Sequence, residues 1–409
     1  MNIMRLLRGY ISVPLLFVML TVICLASCDK EESTVDDVNK QTILVYMPWS
    51  GSTNTDGLYH FFLANLDSIE VGVKAKGGLS NNRVLIFISE SARNSVLYEL
   101  TYDKKTEKCE RKKLRDYEGH DYTTAEGITS LLNEVKSLAP ALNYAMMIGC
   151  HGTGWTFKDS WDNYPYYSKT FSMFEEEEPS TRFFGSVSDF TFSTNISTLA
   201  EGISGAGMKM QYIQFDDCYM CNVEVAYELR NVTNFLIAST SEVMNIGFPY
   251  QKMWKGLSNP VPDYSSAISA FGQFYNDYIY PYGTAAAIDC REMDNLASIM
   301  KLINDKYTIS EEALAEVQVL DGFDTPIFYD FGDYVDKLCT ENALHNRVVS
   351  SLNTLVKAKA NTENIFSMLY NEARIIPVKT FSGITISDPS QHVVAKKSLQ
   401  HTSWYQATH

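Results

Sequence analysis

Short apolar runs separated by helix-like segments are the feature that most limits how this chain can fold. Four runs have the length and composition of buried strands: 42–47 (TILVYM), 83–89 (RVLIFIS), 143–149 and 211–216. Helical spacing occupies 58–73 and 124–138, between these runs. The alternation predicts a three-layer α/β/α sandwich around a mainly parallel central sheet.

The pattern changes toward the C-terminus of the 409-residue chain, where helical spacing dominates. The predicted helices there are 265–279, 291–306 and 329–357, and the predicted strands are 284–289 and 383–387. We therefore predict an α/β domain over 41–261 and a mainly helical part over 262–409 that packs on it.

The N-terminus has the order of an export signal. Arg5 and Arg8 precede an apolar stretch, 13–25, that is short for a membrane span. Leu25-Ala26-Ser27-Cys28 then resembles the lipobox of bacterial lipoproteins. The alternative is a plain secretory signal in which Cys28 is incidental.

The lipobox resemblance implies a signal peptide over 1–27, acylation of Cys28 and a polar tether over 28–40. The following Asp-Lys-Glu-Glu (29–32) resembles a signal that directs some Gram-negative lipoproteins to the cell surface. We expect an exported protein, held by lipid in the outer membrane or at the surface of a Gram-negative bacterium.

Charge and cysteine content argue against two classes of protein. The net charge is −15 and the longest basic run is 111–113, so nucleic acid is not an expected partner. Six cysteines lie beyond Cys28, scattered over a large chain, and this spacing is unlike a small disulfide scaffold.

Two motifs place reactive side chains directly after apolar runs. CHGTGW (150–155) places His151 after one predicted strand, and FDDCYM (215–220) places Cys218 after another. Open α/β sheets place their sites at the carboxyl ends of parallel strands. A thiol and an imidazole at that edge predict nucleophilic catalysis by cysteine.

Together these motifs and the following Asn-Val-Glu-Val-Ala-Tyr-Glu-Leu (222–229) resemble clostripain-like cysteine peptidases. The resemblance implies a caspase-like fold, with 41–261 as the catalytic domain, and cleavage of peptides or proteins after Arg or Lys. It implies that Cys218 is the nucleophile and His151 the proton carrier. The backbone N–H groups of Gly152 and Cys218 would form the oxyanion hole.

The two aspartates before Cys218 have different expected roles. Asp216 matches the family position that anchors a basic side chain of the substrate, and it shares a strand face with Cys218. Its alternative role is to cap the following helix. Asp217 stands where most relatives have alanine, and a carboxylate there needs a partner or water.

A long segment, 156–194, separates the two motifs. Clostripain-like enzymes are often activated by self-cleavage in this interval, and Lys158, Lys169 and Arg182 are its basic residues. We expect cleavage after Lys169 or Lys158. The chemistry requires no cofactor, and we expect no metal site. Whether the protein responds to calcium is left open, because clostripain responds to calcium but this sequence has no EF-hand loop.

Two alternative functions remain from the sequence. A catalytically inactive surface protein could use the same cleft for binding, given Asp217 and the acidic 175–178 run. Cys218 and Cys221 also form a C-x-x-C pair, which occurs in redox centres and, with Cys150 and His151, could hold a metal. We favour a lipid-anchored cysteine endopeptidase.

Overall fold

The computed structural model describes residues 38–49, 58–91, 93–119, 121–161, 184–185, 192–369 and 373–409. Its strands are β1 (Gln41–Met47), β2 (Asn82–Ser91), β3 (Asn94–Asp103), β4 (Lys108–Glu118), β5 (Asn143–Ile148), β6 (Phe184–Gly185), β7 (Ser193–Thr194), β8 (Ile213–Phe215), β9 (Phe235–Ala238), β10 (Thr284–Asp289), β11 (Tyr329–Asp330), β12 (Val356–Asn361), β13 (Asn364–Ser367), β14 (Arg374–Pro377) and β15 (Thr385–Ile386).

Twelve α-helices lie within the described residues. They are α1 (Tyr59–Lys76), α2 (Ala125–Leu138), α3 (Ile196–Gly205), α4 (Val223–Leu229), α5 (Tyr250–Leu257), α6 (Tyr264–Asp277), α7 (Met293–Asn304), α8 (Glu311–Ala315), α9 (Phe331–Leu338), α10 (Asn342–Leu355), α11 (Val393–Ser398) and α12 (Ser403–Thr408). No described helix is both long enough and apolar enough to cross a membrane.

A nine-stranded sheet in the order β12-β10-β9-β8-β5-β1-β2-β3-β4 forms the centre of the protein. Its five middle strands, β9 to β2, run parallel, and antiparallel strands flank them on both sides. All of β1 is buried, as expected for a parallel strand that is covered on both faces. The predicted mainly parallel central sheet is confirmed.

The helices form two groups. Helix α5 packs against α1 and α6, whereas α2, α3 and α4 pack in succession and α4 contacts α7 and α12. Helix α1 buries one face, with Phe62, Leu66 and Ile69, whereas α4 is buried on nearly all sides. Helices packed on a central sheet in this way form a three-layer α/β/α sandwich.

The segment after 262 differs in detail from its prediction. Two helices, α9 and α10, replace the single helix expected over 329–357, and β12 follows at 356. Strands β10 and β12 lie in the central sheet, so this segment completes the sheet as well as covering it.

Candidate active site

Two neighbouring parallel strands deliver the predicted catalytic residues to one edge of the sheet. In the register of β5 and β8, Ile148 lies opposite Phe215. His151 and Cys218 each follow three residues after that pair. The register itself therefore places the two motifs side by side.

The loops that carry the two motifs are in direct contact. A Cβ added to Gly152 would lie 2.6 Å from the carbonyl oxygen of Cys218 and 2.7 Å from Cβ of Asp217. Only glycine leaves room for this approach of two backbones. The sequence prediction that His151 and Cys218 lie at one sheet edge agrees with this contact.

His151 is a partly exposed residue held by its backbone and its ring. Its carbonyl accepts a hydrogen bond from the Gly185 N–H at 3.1 Å, and its ring packs against Trp49 with centroids 5.5 Å apart. Burial lowers the pKa of His151 to about 4. The imidazole is therefore neutral at neutral pH and can accept a proton.

Cys218 is also a partly exposed residue, and its thiol contacts the backbone of Val243. Its Sγ accepts the N–H of Val243 at 3.2 Å. Burial raises the pKa of the thiol well above its usual range, and the negative charge of Glu242 raises it further. A thiol with a raised pKa is protonated at neutral pH, and it becomes a nucleophile only when a base takes its proton.

Asp216 is a buried carboxylate that accepts hydrogen bonds from neutral groups. Phe248 N–H donates to its Oδ1 at 2.7 Å, Asn65 Nδ2 donates to its Oδ2 at 3.2 Å, and the Tyr250 hydroxyl donates as well. Burial raises the pKa of Asp216 to about 7. No lysine or arginine in the described part of the chain forms an ion pair with it.

Asp217 finds its partners on the histidine loop. Its Oδ1 accepts the Cys150 N–H at 2.7 Å, and the Cys150 thiol lies 3.5 Å from its Oδ2. Burial raises the pKa of Asp217 well above its ordinary value. This unusual residue is therefore a bridge between the strand ends that carry His151 and Cys218.

The C-x-x-C pair, Cys218 and Cys221, does not form a disulfide in the structure. The six described cysteines are free thiols, and Cys221 is fully buried with its Sγ 3.2 Å from the Gly383 carbonyl oxygen. Among the described residues, no three His, Cys, Asp or Glu side chains form a group that could hold a metal ion.

Part of the predicted cleavage segment is described. Lys158 begins a short 3-10 helix, Lys158–Trp161, and its N–H donates to the Asn195 side chain at 3.1 Å. Gly185 pairs with His151. Lys169, Arg182 and the predicted lipidation site Cys28 lie outside the described residues.

The sequence assigned no role to four residues that the structure places at the site: Asn65, Glu242, Val243 and Tyr250. Asn65 had a usable signal, because it is a polar residue on the buried face of α1 that also carries Leu66 and Ile69. The others reach the site only through the fold.

The sequence model of the clostripain family (peptidase C11) matches residues 49–395. The chain belongs to the clostripain family. It is therefore a cysteine protease, as the two motifs predicted. A search of the curated protein sequences gave no match.

Solved structures of family members resemble this chain over most of its length. A secreted C11 cysteine protease from Bacteroides thetaiotaomicron is 44% identical, with a TM-score of 0.80, over 91% of this chain and 99% of that one. An inactive zymogen C11 protease from Parabacteroides distasonis is 24% identical, with a TM-score of 0.74, over 91% of this chain and 99% of that one, and shows the fold alone. These likenesses confirm the predicted caspase-like fold.

A third structure resembles part of the chain. It is a clostripain from Bacteroides thetaiotaomicron ATCC 29148 in complex with the peptide inhibitor BTN-VLTK-AOMK. It is 49% identical, with a TM-score of 0.53, over 56% of this chain and 99% of that one.

Proposed function

We propose that this family member is an exported, lipid-anchored endopeptidase that cleaves peptide bonds after Lys or Arg through Cys218 and His151. The observation that carries the proposal is the contact of Gly152, next to His151, with the carbonyl of Cys218. Nucleophilic attack by cysteine requires a thiol and an imidazole at one place, and this contact brings their loops together.

In the proposed mechanism His151 acts first as a base and then as an acid. Because the thiol is protonated and the imidazole neutral at pH 7, His151 accepts the thiol proton as Sγ attacks the substrate carbonyl. The N–H groups of Gly152 and Cys218 donate to the oxyanion. His151 then protonates the leaving amine, and water hydrolyses the acyl-enzyme.

We propose that the reaction needs no cofactor, because the thiol, the imidazole and the two N–H groups supply every step. Hydrolysis measured with and without a calcium chelator decides the calcium requirement, which the sequence leaves open.

The preference for a basic residue is proposed from the environment of Asp216. This carboxylate is buried with neutral donors only, among the described residues, and a buried charge is stabilised by an opposite charge. The side chain of a substrate lysine or arginine would supply that charge. The inhibitor bound to the 49% identical clostripain has the peptide VLTK, which ends in lysine.

Export and anchoring are proposed from the N-terminal sequence and from a relative that is described as secreted. Acylation of Cys28 would hold the protein in the outer membrane or at the cell surface. Wild-type protein should fractionate with membranes, and Cys28→Ala should not. Cys24→Ala, a change in the same leader, is the matched control and should leave the fractionation unchanged.

Fluorogenic peptides that differ only in the residue before the scissile bond test the peptidase proposal. With reductant at neutral pH, peptides with Lys or Arg at that position should be hydrolysed, and one with Asp should not. Cys218→Ala should lower hydrolysis to background, and Cys339→Ala, a change at a free, buried thiol outside the site motifs, is the control. Binding of the peptides without turnover would instead support the inactive binding protein.

A further inference from the structure

The turn that follows the proposed nucleophile has an uncommon backbone conformation. Tyr219 has a φ of 61°, in the left-handed region that a bulky side chain rarely adopts. Such a conformation persists only where surrounding contacts determine it. The contacts of Tyr219 therefore help to fix the position of Cys218, the residue before it.

Three contacts hold Tyr219 in this conformation. Its N–H donates to the Ser241 carbonyl at 3.0 Å, and its ring stacks on Phe328 with centroids 4.9 Å apart and planes 11° apart. Its hydroxyl donates to Oε1 of Glu242 at 2.7 Å. The side chain is 1% exposed, so the hydroxyl depends on a protein acceptor.

Glu242 connects this turn to the sulfur atom. Its second oxygen, Oε2, accepts the Met368 N–H at 2.9 Å, which fixes the carboxylate. The next residue, Val243, donates its N–H to Sγ of Cys218. Glu242 therefore supports Cys218 in two ways. Its carboxylate holds Tyr219, which follows Cys218 in the backbone, and its neighbour Val243 donates to the Cys218 sulfur.

The charge of Glu242 does not assist the chemistry. A negative charge near Cys218 opposes thiolate formation, and Asp216 and Asp217 add to the same effect. Asp321, the other carboxylate near Tyr219, has its oxygens occupied by the N–H groups of Phe323, Ile327 and Phe328. Any benefit of Glu242 to catalysis is therefore positional.

We propose that Glu242 is a positioning residue that, through the Tyr219 hydroxyl and the Val243 N–H, holds the Cys218 sulfur and backbone N–H in place for attack. The inference rests on the proposed peptidase function. Removing the hydrogen bond between Tyr219 and Glu242 should lower kcat more than it changes KM, because it displaces the nucleophile and leaves the Asp216 carboxylate in place.

The test compares Tyr219→Phe, Glu242→Ala and Glu242→Gln with Tyr117→Phe in the full chain. Tyr117, on the edge strand β4, is the matched control. Its hydroxyl also donates to a glutamate, Glu134, at 2.8 Å. Tyr219→Phe and Glu242→Ala should lower kcat on a lysine peptide by about tenfold or more, whereas Tyr117→Phe should not. Glu242→Gln, which still accepts from Tyr219, should retain more activity than Glu242→Ala.

A second measurement needs no substrate. The extent of Cys218 alkylation by iodoacetamide is measured by mass spectrometry at a series of pH values. In Glu242→Gln the alkylation should begin at a lower pH than in the wild type, because the negative charge that opposes thiolate formation is gone. If folded Tyr219→Phe and Glu242→Ala kept kcat within about twofold, the inference would be wrong while the peptidase proposal stood. If the wild type hydrolysed no peptide, the peptidase proposal would fail, and a rate of Cys218 alkylation that is the same in Tyr219→Phe as in the wild type would overturn the inference as well.

Discussion

Asp216 is a buried carboxylate with neutral donors and, among the described residues, no cation. Because burial raises its pKa to about 7, the free enzyme carries only part of this charge at neutral pH. A substrate cation binds the ionised form. We therefore expect kcat/KM for lysine and arginine peptides to rise as pH increases through about 7.

Asp216→Asn should lower kcat/KM for these peptides by about 100-fold and remove this pH dependence, since it removes one member of a buried charge pair. Asp388→Asn is the control, because burial raises the pKa of Asp388 to about 7 as well and it lies near Trp404, in the C-terminal helix. Steady-state kinetics between pH 5 and 9 measure both. An unchanged pH profile in Asp216→Asn would exclude Asp216 as the specificity group.

At the scale of single residues, the sequence predicted the site residues that directly follow strands. It assigned no role to the residues that contact them from other elements. His151 and Cys218 could be found because each motif directly follows an apolar run. Tyr250 lies 34 positions after Asp216 in the sequence and reaches it only because α5 packs at this edge. Such a contact is a property of the tertiary fold, which local pattern does not contain.

At the scale of elements, β12 is a strand that the sequence did not predict, and it overlaps the predicted helix 329–357 only at its first two residues. Its sequence, VKAKAN, is rich in Ala and Lys, which favour helices. Its strand conformation comes from antiparallel pairing with β10. By contrast, β1 and β2 are runs of β-branched and apolar residues whose composition and burial agree, so their positions were predicted closely.

The segment between β5 and α3 carries the self-cleavage prediction. Lys158 is the first residue of a 3-10 helix anchored by buried Trp161, a conformation unsuited to a cleft that binds extended peptide. We therefore expect cleavage after Lys169, and Lys169→Ala should prevent it while Lys158→Ala should not. Mass spectrometry of purified wild type and Cys218→Ala checks this.

The inactive variant is the control for cleavage by other proteases, and it should remain a single chain. A new N-terminus at Asp159 or Phe183 would show that another basic residue is the site. An intact chain in the wild type would show that self-cleavage does not occur.

At the scale of the whole molecule, buried carboxylates without ion pairs recur through the described residues. Burial raises the pKa of Asp216, Asp321 and Asp388 to about 7 and also raises the pKa of Glu224 and Glu242. In an unfolded chain these groups titrate near pH 4. Between pH 4 and 7 the folded protein therefore binds more protons than the unfolded one.

The free energy of unfolding should consequently fall as pH rises from 4 to 7 and level off above the folded-state pKa values. The folded-state pKa of His151 is about 4, so its contribution to the free energy of unfolding rises with pH up to about 6.5. This single group opposes several carboxylates. The growing net negative charge adds to the loss of stability at higher pH. We expect a higher melting temperature at pH 5 than at pH 8.

Calorimetry at pH 5, 6, 7 and 8 measures this slope, and Asp388→Asn tests its cause. The amide has nearly the shape of the carboxylic acid and does not titrate, so this variant should lose less stability between pH 5 and 8 than the wild type. Tyr117→Phe, which removes no carboxylate, should keep the wild-type slope. A melting temperature that rises from pH 5 to pH 8 in the wild type would mean that ionised carboxylates are stabilised by partners in the native protein, contrary to the environment described for Asp216 and Glu242.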